Sequence, residues 1–200
     1  GLHARLVEDA RKRADAIVEG QDVGAFLRAS RMLPPRVDVG DALERIDQAV
    51  RRAIDGVLAR PELRDRSVSV HATGDMTGIF DPKKMERVFF NLVLNACEAT
   101  EGQQGRITVD ILSTPQSFEI RIADNGRGIP LSIRSTLFDP FVSSEKSNGT
   151  GLGLAIVSKI IHDHGGSVTV ESTSEAGTVF FVQLPRLQQA VGEIAQEAVT

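Results

Sequence analysis

The apolar residues of this chain change period near residue 60, and that switch limits the fold more than any other feature. Before it, Leu43, Ile46, Val50, Ile54, Val57 and Leu58 recur at helical spacing, which predicts a helix from Asp41 to about Ala59. After it, Ser67-Val68-Ser69-Val70-His71 alternates, as do Ile107, Val109 and Ile111 against Thr108 and Asp110. Phe118, Ile120 and Ile122 repeat the pattern, followed by Val168 with Val170 and by Phe180, Val182 and Leu184. Alternation on one side only means strands with one covered face, the mark of a mainly antiparallel sheet. Two apolar helices interrupt the strands, from about Pro82 to Thr100 and from about Leu152 to His164, the second closed by Gly165-Gly166. Helices gathered on one face of such a sheet predict an α+β fold, a two-layer α/β sandwich.

The chain is long enough for this. At 200 residues it can bury about 70% of its unfolded surface, and 41% hydrophobic with 25% charged residues is ordinary globular usage. Disorder is excluded, and no apolar run approaches a membrane span. Contact with a membrane is not expected. A net charge of −4 argues against a nucleic-acid partner, and the single Cys97 excludes an intrachain disulfide. A cytoplasmic setting fits. Three regions are expected: a helix and linker over 1–36, a domain over 37–185, and an amphipathic tail over 186–200. Pro34-Pro35 stops the first helix, and Leu187, Val191, Ile194 and Ala198 give the tail helical spacing.

Three motifs carry possible chemistry. In Phe89-Phe90-Asn91-Leu92-Val93-Leu94-Asn95-Ala96 two amides lie four apart in an apolar run, on one helix face. They are either a satisfied core pair or aimed at a polar ligand, and amide oxygens suit Mg2+. Asp124-Asn125-Gly126-Arg127-Gly128-Ile129 follows a strand. It reads as a tight turn, or as a carboxylate that accepts from an amine such as adenine's, with glycines that let backbone approach a flat base. Asn148-Gly149-Thr150-Gly151-Leu152-Gly153-Leu154 runs into a helix. It is a flexible hinge, or a loop whose free N–H groups meet an anion at the helix N-terminus. It is neither a dinucleotide fingerprint, since Leu154 stands where glycine is needed, nor a P-loop.

With Phe138-Asp139-Pro140-Phe141 between the second and third motifs, the ordered set resembles the N, G1, F and G2 boxes of sensor histidine kinases. The wider group contains gyrase, the Hsp90 chaperones and MutL. The resemblance covers about residues 37–185 and implies their Bergerat-type ATP-binding fold, with a mixed, mostly antiparallel sheet. It implies ATP and Mg2+ as ligands and transfer of the γ-phosphoryl group to a histidine on a dimerisation hairpin. Carried over by position, Asn95 holds Mg2+, and Asn91 stands where gyrase-like relatives have a catalytic carboxylate. Asp124 takes the adenine amine, with Gly126, Gly128 and Ile129 around the base. Gly149, Gly151, Leu152 and Gly153 cradle the phosphates as a lid closes, and Thr150, Leu154, Phe141 and Lys146 also belong to the ATP site, with Lys146 in the lid. Two departures stand out: Glu98 lies where some histidine kinases carry Lys or Arg, and the lid lysine comes one place late.

The resemblance also implies partners: the phosphotransfer hairpin, a response-regulator receiver domain, and a second copy in a full-length homodimer. Residues 5–33 look like the second helix of that hairpin. None of His3, His71, His162 and His164 has the acceptor context, and His164 reads as a helix C-cap. Two other readings share the fold: a gyrase- or MutL-like ATPase, and a degenerate ATP-binding scaffold.

Overall fold

A computed structural model describes residues 43–101, 104–142 and 151–186. The expected N-terminal helix, the Asp41 cap, Lys146, Gly149, Thr150 and the tail from 187 lie outside the described residues.

The strands read from alternation are all present. β2 (Ser67–Thr73), β4 (Arg106–Ser113), β5 (Ser117–Asp124), β6 (Ser167–Ser174) and β7 (Gly177–Pro185) form one sheet in the order β2-β4-β5-β7-β6. β2 runs parallel to β4 and every other pairing is antiparallel. The register aligns Val70, Val109, Ile122, Phe180 and Val170 in one row across all five strands. The neighbouring row, His71, Asp110, Arg121, Phe181 and Thr169, points to the other side. There Arg121 lies 4.6 Å over the Phe181 ring and grips both oxygens of Glu171 at 3.0 and 3.1 Å. One face is therefore core and the other is a solvated polar surface.

Three helices cover the core face: α1 (Ile46–Leu58), α2 (Pro82–Ala99) and α3 (Gly153–Asp163). α2 is central, packed between α1 and α3 and against β4 and β5. Val88, Phe89, Leu92, Val93 and Ala96 are buried along it. Asp81 caps its start by accepting from the Lys84 N–H at 3.0 Å, with Pro82 at the first helical position. His164 just past α3 is buried and joins the two helices. Its Nδ1 donates to the Ile160 carbonyl at 2.7 Å, and its Nε2 accepts from the Asp81 N–H at 3.4 Å. The imidazole is more than a helix cap: it pins the end of α3 to the start of α2.

A feature absent from the periodicity is the ribbon of β1 (Leu43–Arg45) and β3 (Thr77–Ile79), paired antiparallel. It receives α1, whose first N–H meets the Met76 carbonyl at 3.0 Å with no side-chain cap. Arg186, just after β7, closes the other side through Asp75 and the Thr77 carbonyl.

Candidate functional site

The end of α2 and the end of β5 meet, and the site is built on that junction. Thr100 donates to the Cys97 carbonyl at 2.8 Å, and the Arg127 N–H takes the Ala99 carbonyl at 3.1 Å. These bonds satisfy the free carbonyls of the helix end and bring the loop after β5 against it. Asn125 fastens the same loop to β4: its Nδ2 donates to the Gln104 carbonyl at 3.1 Å, and its Oδ1 accepts from Arg106 N–H at 2.7 Å. Gly126 is glycine because of this contact. A Cβ there would lie 2.5 Å from the Ala99 carbonyl oxygen. The space that Gly126 leaves is taken by α2 and not by a base, and Gly126 is off the cavity wall.

A cavity of about 250 Å³ opens between α2, the loop after β5 and the start of α3. Asp124, Gly128 and Ile129 line one end of it, and Asn91, Gly151, Gly153 and Leu154 the other, with Asn95 between. Phe141 does not line it; the ring is 78% exposed. Leu152 faces a neighbouring groove with Lys83, Lys84, Arg87 and Lys159 around it. Leu137, Thr178 and Phe180 contribute apolar and hydroxyl wall from outside the motifs, beside Leu94 between the two asparagines. Thr178 had a signal, in the Gly177-Thr178 pair before an alternating strand.

Asp124 is held in one orientation. Its Oδ1 accepts from the Gly126 N–H at 2.8 Å and the Thr178 N–H at 3.3 Å, which leaves Oδ2 for a donor in the cavity. Burial pushes this carboxyl up, and the two N–H groups work against the rise without cancelling it. A carboxyl that already accepts two backbone bonds at a cavity wall is suited to a neutral amine donor. Gly128, at φ 72°, turns the chain where a Cβ would strike the Ser174 carbonyl.

The opposite end is made of backbone. Gly153 begins α3, and a Cβ on it would lie 3.1 Å from Asn91 Oδ1. The first N–H groups of this eleven-residue helix have no acceptor within the helix and begin beside Asn91, a place that favours an anion. Asn91 donates Nδ2 to the Arg87 carbonyl at 2.9 Å, which turns its oxygen inward. Asn95 makes no hydrogen bond with the described residues, although it lines the cavity. That unused amide oxygen fits a hard cation. Among the described residues no three His, Cys, Asp or Glu side chains gather as a metal site, so such an ion would draw its remaining ligands from phosphate and water.

Below this floor Cys97 is buried and its thiol is pushed up to about 11, mainly by desolvation, as a packing residue would be.

Comparison with known proteins agrees with this geometry. Residues 80–189 match the histidine kinase-, DNA gyrase B-, and HSP90-like ATPase family. The sensory histidine kinase/phosphatase NtrB of Rhodobacter capsulatus is 33% identical over 90% of this chain and 51% of its own length. The nitrogen regulation protein NtrY of Azorhizobium caulinodans is 36% identical over 78% of this chain and 20% of its length. The chain thus spans about half the length, or less, of the curated relatives it matches. Among solved structures, a mycobacterial sensor histidine kinase, MprB, superposes with a TM-score of 0.64 at 28% identity, over 72% of this chain and 97% of that one. The catalytic domain of histidine kinase ThkA superposes with a TM-score of 0.62, also at 28% identity, over 71% of this chain and 95% of that one. A match over more than half of the residues, together with a cavity that joins a held carboxylate to a helix N-terminus, places this chain in the histidine kinase-, DNA gyrase B-, and HSP90-like ATPase family, as the ATP-binding domain type of the sensor kinases.

Proposed function

We propose that this domain delivers the γ-phosphoryl group of Mg-ATP to a histidine on a dimerisation hairpin, with a response-regulator receiver domain as the later acceptor. The observation that carries the reading is the arrangement around Asp124. One oxygen is spent on backbone N–H groups and the other is left for the adenine amine, at the end of the cavity away from the α3 N-terminus. The triphosphate then extends toward Gly151, Gly153 and Asn91. Mg2+, when bound through Asn95, would neutralise charge on the phosphates. What the chain itself contributes is position: the base is fixed, the α3 N–H groups receive the phosphate oxygens, and the inward amide oxygen of Asn91 would serve the cation that accompanies them.

A gyrase- or MutL-like ATPase is less well supported. Water activation there needs a carboxylate to take the proton, and the group in that place is the Asn91 amide, tied to the Arg87 carbonyl. Among the described residues no helix is long and apolar enough to cross a membrane. A cytoplasmic site of action fits a domain that consumes ATP.

The test has two parts. Mixed with a separately made hairpin and labelled ATP, the chain should put acid-labile, base-stable label on the hairpin histidine, whereas the chain alone should carry none. Asn95→Ala should abolish that transfer and weaken Mg-ATP binding more than metal-free ATP binding. Steady ATP hydrolysis without any labelled histidine would favour the ATPase reading instead.

A further inference from the structure

One acidic group in the cavity has no part in the reading above. Glu98 lines the cavity mouth, and its carboxylate makes no hydrogen bond or ion pair with the described residues. It shares a helix face with Asn91 and Asn95 and stands about 4.5 Å beyond Asn95 along the axis of α2. The direction matters. Asn91 sits under the α3 N-terminus, where the phosphates go, while Ala99 touches Gly126 and the Arg127 N–H beside Asp124, where the base goes. Glu98 is therefore set toward the base end and away from the phosphate end. Arg127 and Arg60 lie near enough to act on its charge, yet desolvation by the walls outweighs both and keeps the carboxyl above its usual range.

A carboxylate can only accept hydrogen bonds. ATP offers few donors: the adenine amine, which Asp124 takes, and the 2′ and 3′ hydroxyls of the sugar. All its other polar atoms are acceptors or anions, which Glu98 would repel. We infer that Glu98 is the sugar-recognising residue of this site, accepting from the ribose hydroxyls, and that an acid here makes the site selective for ribonucleotides. This rests on the adenine-nucleotide reading of the cavity and adds the part of the ligand that reading left unassigned.

The experiment compares ATP with 2′,3′-dideoxy-ATP by calorimetry on the whole 200-residue chain, without metal, for the parent, Glu98→Gln and Glu98→Ala. The parent should prefer ATP by about tenfold, the scale of a hydrogen bond to a charged group. Glu98→Ala should bring the preference close to one by weakening ATP alone, and Glu98→Gln, which keeps a neutral acceptor, should retain part of it. The preference for ATP over GTP belongs to Asp124 and should survive in both variants, a result that a misfolded protein could not give. Equal binding of the two sugars by the parent, or a preference unchanged in Glu98→Ala, overturns the inference and leaves the nucleotide reading standing. Failure of every adenine nucleotide to bind the parent overturns both.

Discussion

The two ends of the cavity are made in opposite ways. At the end proposed for the base, a side chain faces the cavity and the backbone holds it: Asp124 is fixed by two N–H groups, and Asn125 clamps the loop to the start of β4. At the end proposed for the phosphates, the backbone faces the cavity, through the first turn of α3, and a side chain, Asn91, lies beneath it. A held carboxylate reads one pattern of donors and so selects a base. Helix N–H groups donate to any suitably placed oxyanion and select only charge. Specificity for the nucleotide should thus lie at one end and most of the sensitivity to phosphate number at the other.

The strongest way to break this division is Asp124→Ala. It removes the acceptor for the amine and strands two buried N–H groups, so ATP affinity should fall by about 2–3 kcal/mol, roughly 30- to 150-fold. The loss should be the same for ADP, because the phosphates are read elsewhere; calorimetry with the two nucleotides checks both statements. A pair of glycine substitutions gives the next largest effect and sharpens the contrast. Gly126→Ala drives a methyl into the Ala99 carbonyl and should cost about 1–3 kcal/mol of stability, seen as a lower urea midpoint. Gly153→Ala meets only the Asn91 amide at 3.1 Å, at a helical position where alanine is favoured. Its stability should stay near the parent's, while ATP binding weakens more than adenosine binding.

The smallest effect concerns pH. Burial holds the His164 imidazole below the ordinary value of 6.5, with Lys84 helping and the Ile160 bond, Asp81 and Asp163 opposing. The unfolded chain therefore takes up a proton that the folded chain refuses. This contribution to stability is complete above pH 6.5 and declines as the pH falls below it. His164→Gln should flatten that part of a stability-against-pH curve. Asp124, pushed the other way, should make ATP binding fall on acidification while ionic strength is held constant.

Long, one-sided elements are legible in the sequence. Alternation located β2, β4, β5, β6 and β7, and the helical stripes placed α2 and α3 to within a few residues, whereas α1 begins only at Ile46 and Leu43, read with its stripe, lies in β1. The β1–β3 ribbon was not legible, because three residues are too few to show a period and Met76 and Gly78 pack for tertiary reasons. In the site, Asn91, Asn95 and Asp124 stood out as polar groups in apolar surroundings. Gly126 also stood out, but for a different reason than the structure gives: composition cannot tell a glycine that admits a ligand from one that admits a helix end. Glu98 was visible only as a departure from a related pattern, since a charged residue one turn from a helix end looks like any solvated one.

The junction of Phe141 and Gly151 has a consequence for how this domain can vary. The Phe141 N–H meets the Gly151 carbonyl at 2.9 Å, with Phe141 at φ 67° and Gly151 at φ 68°. A Cβ on Gly151 would press on the Phe141 backbone, so the two residues close like a clasp. The described chain on the two sides of 143–150 is thus tied together at one point. Closing a span between two ends that are already tied costs only the slow logarithm of its length. The clasp in effect decouples: the positions of Phe141 and Gly151 are set by their own backbone contact, and a change of sequence length between them should leave the folded core alone.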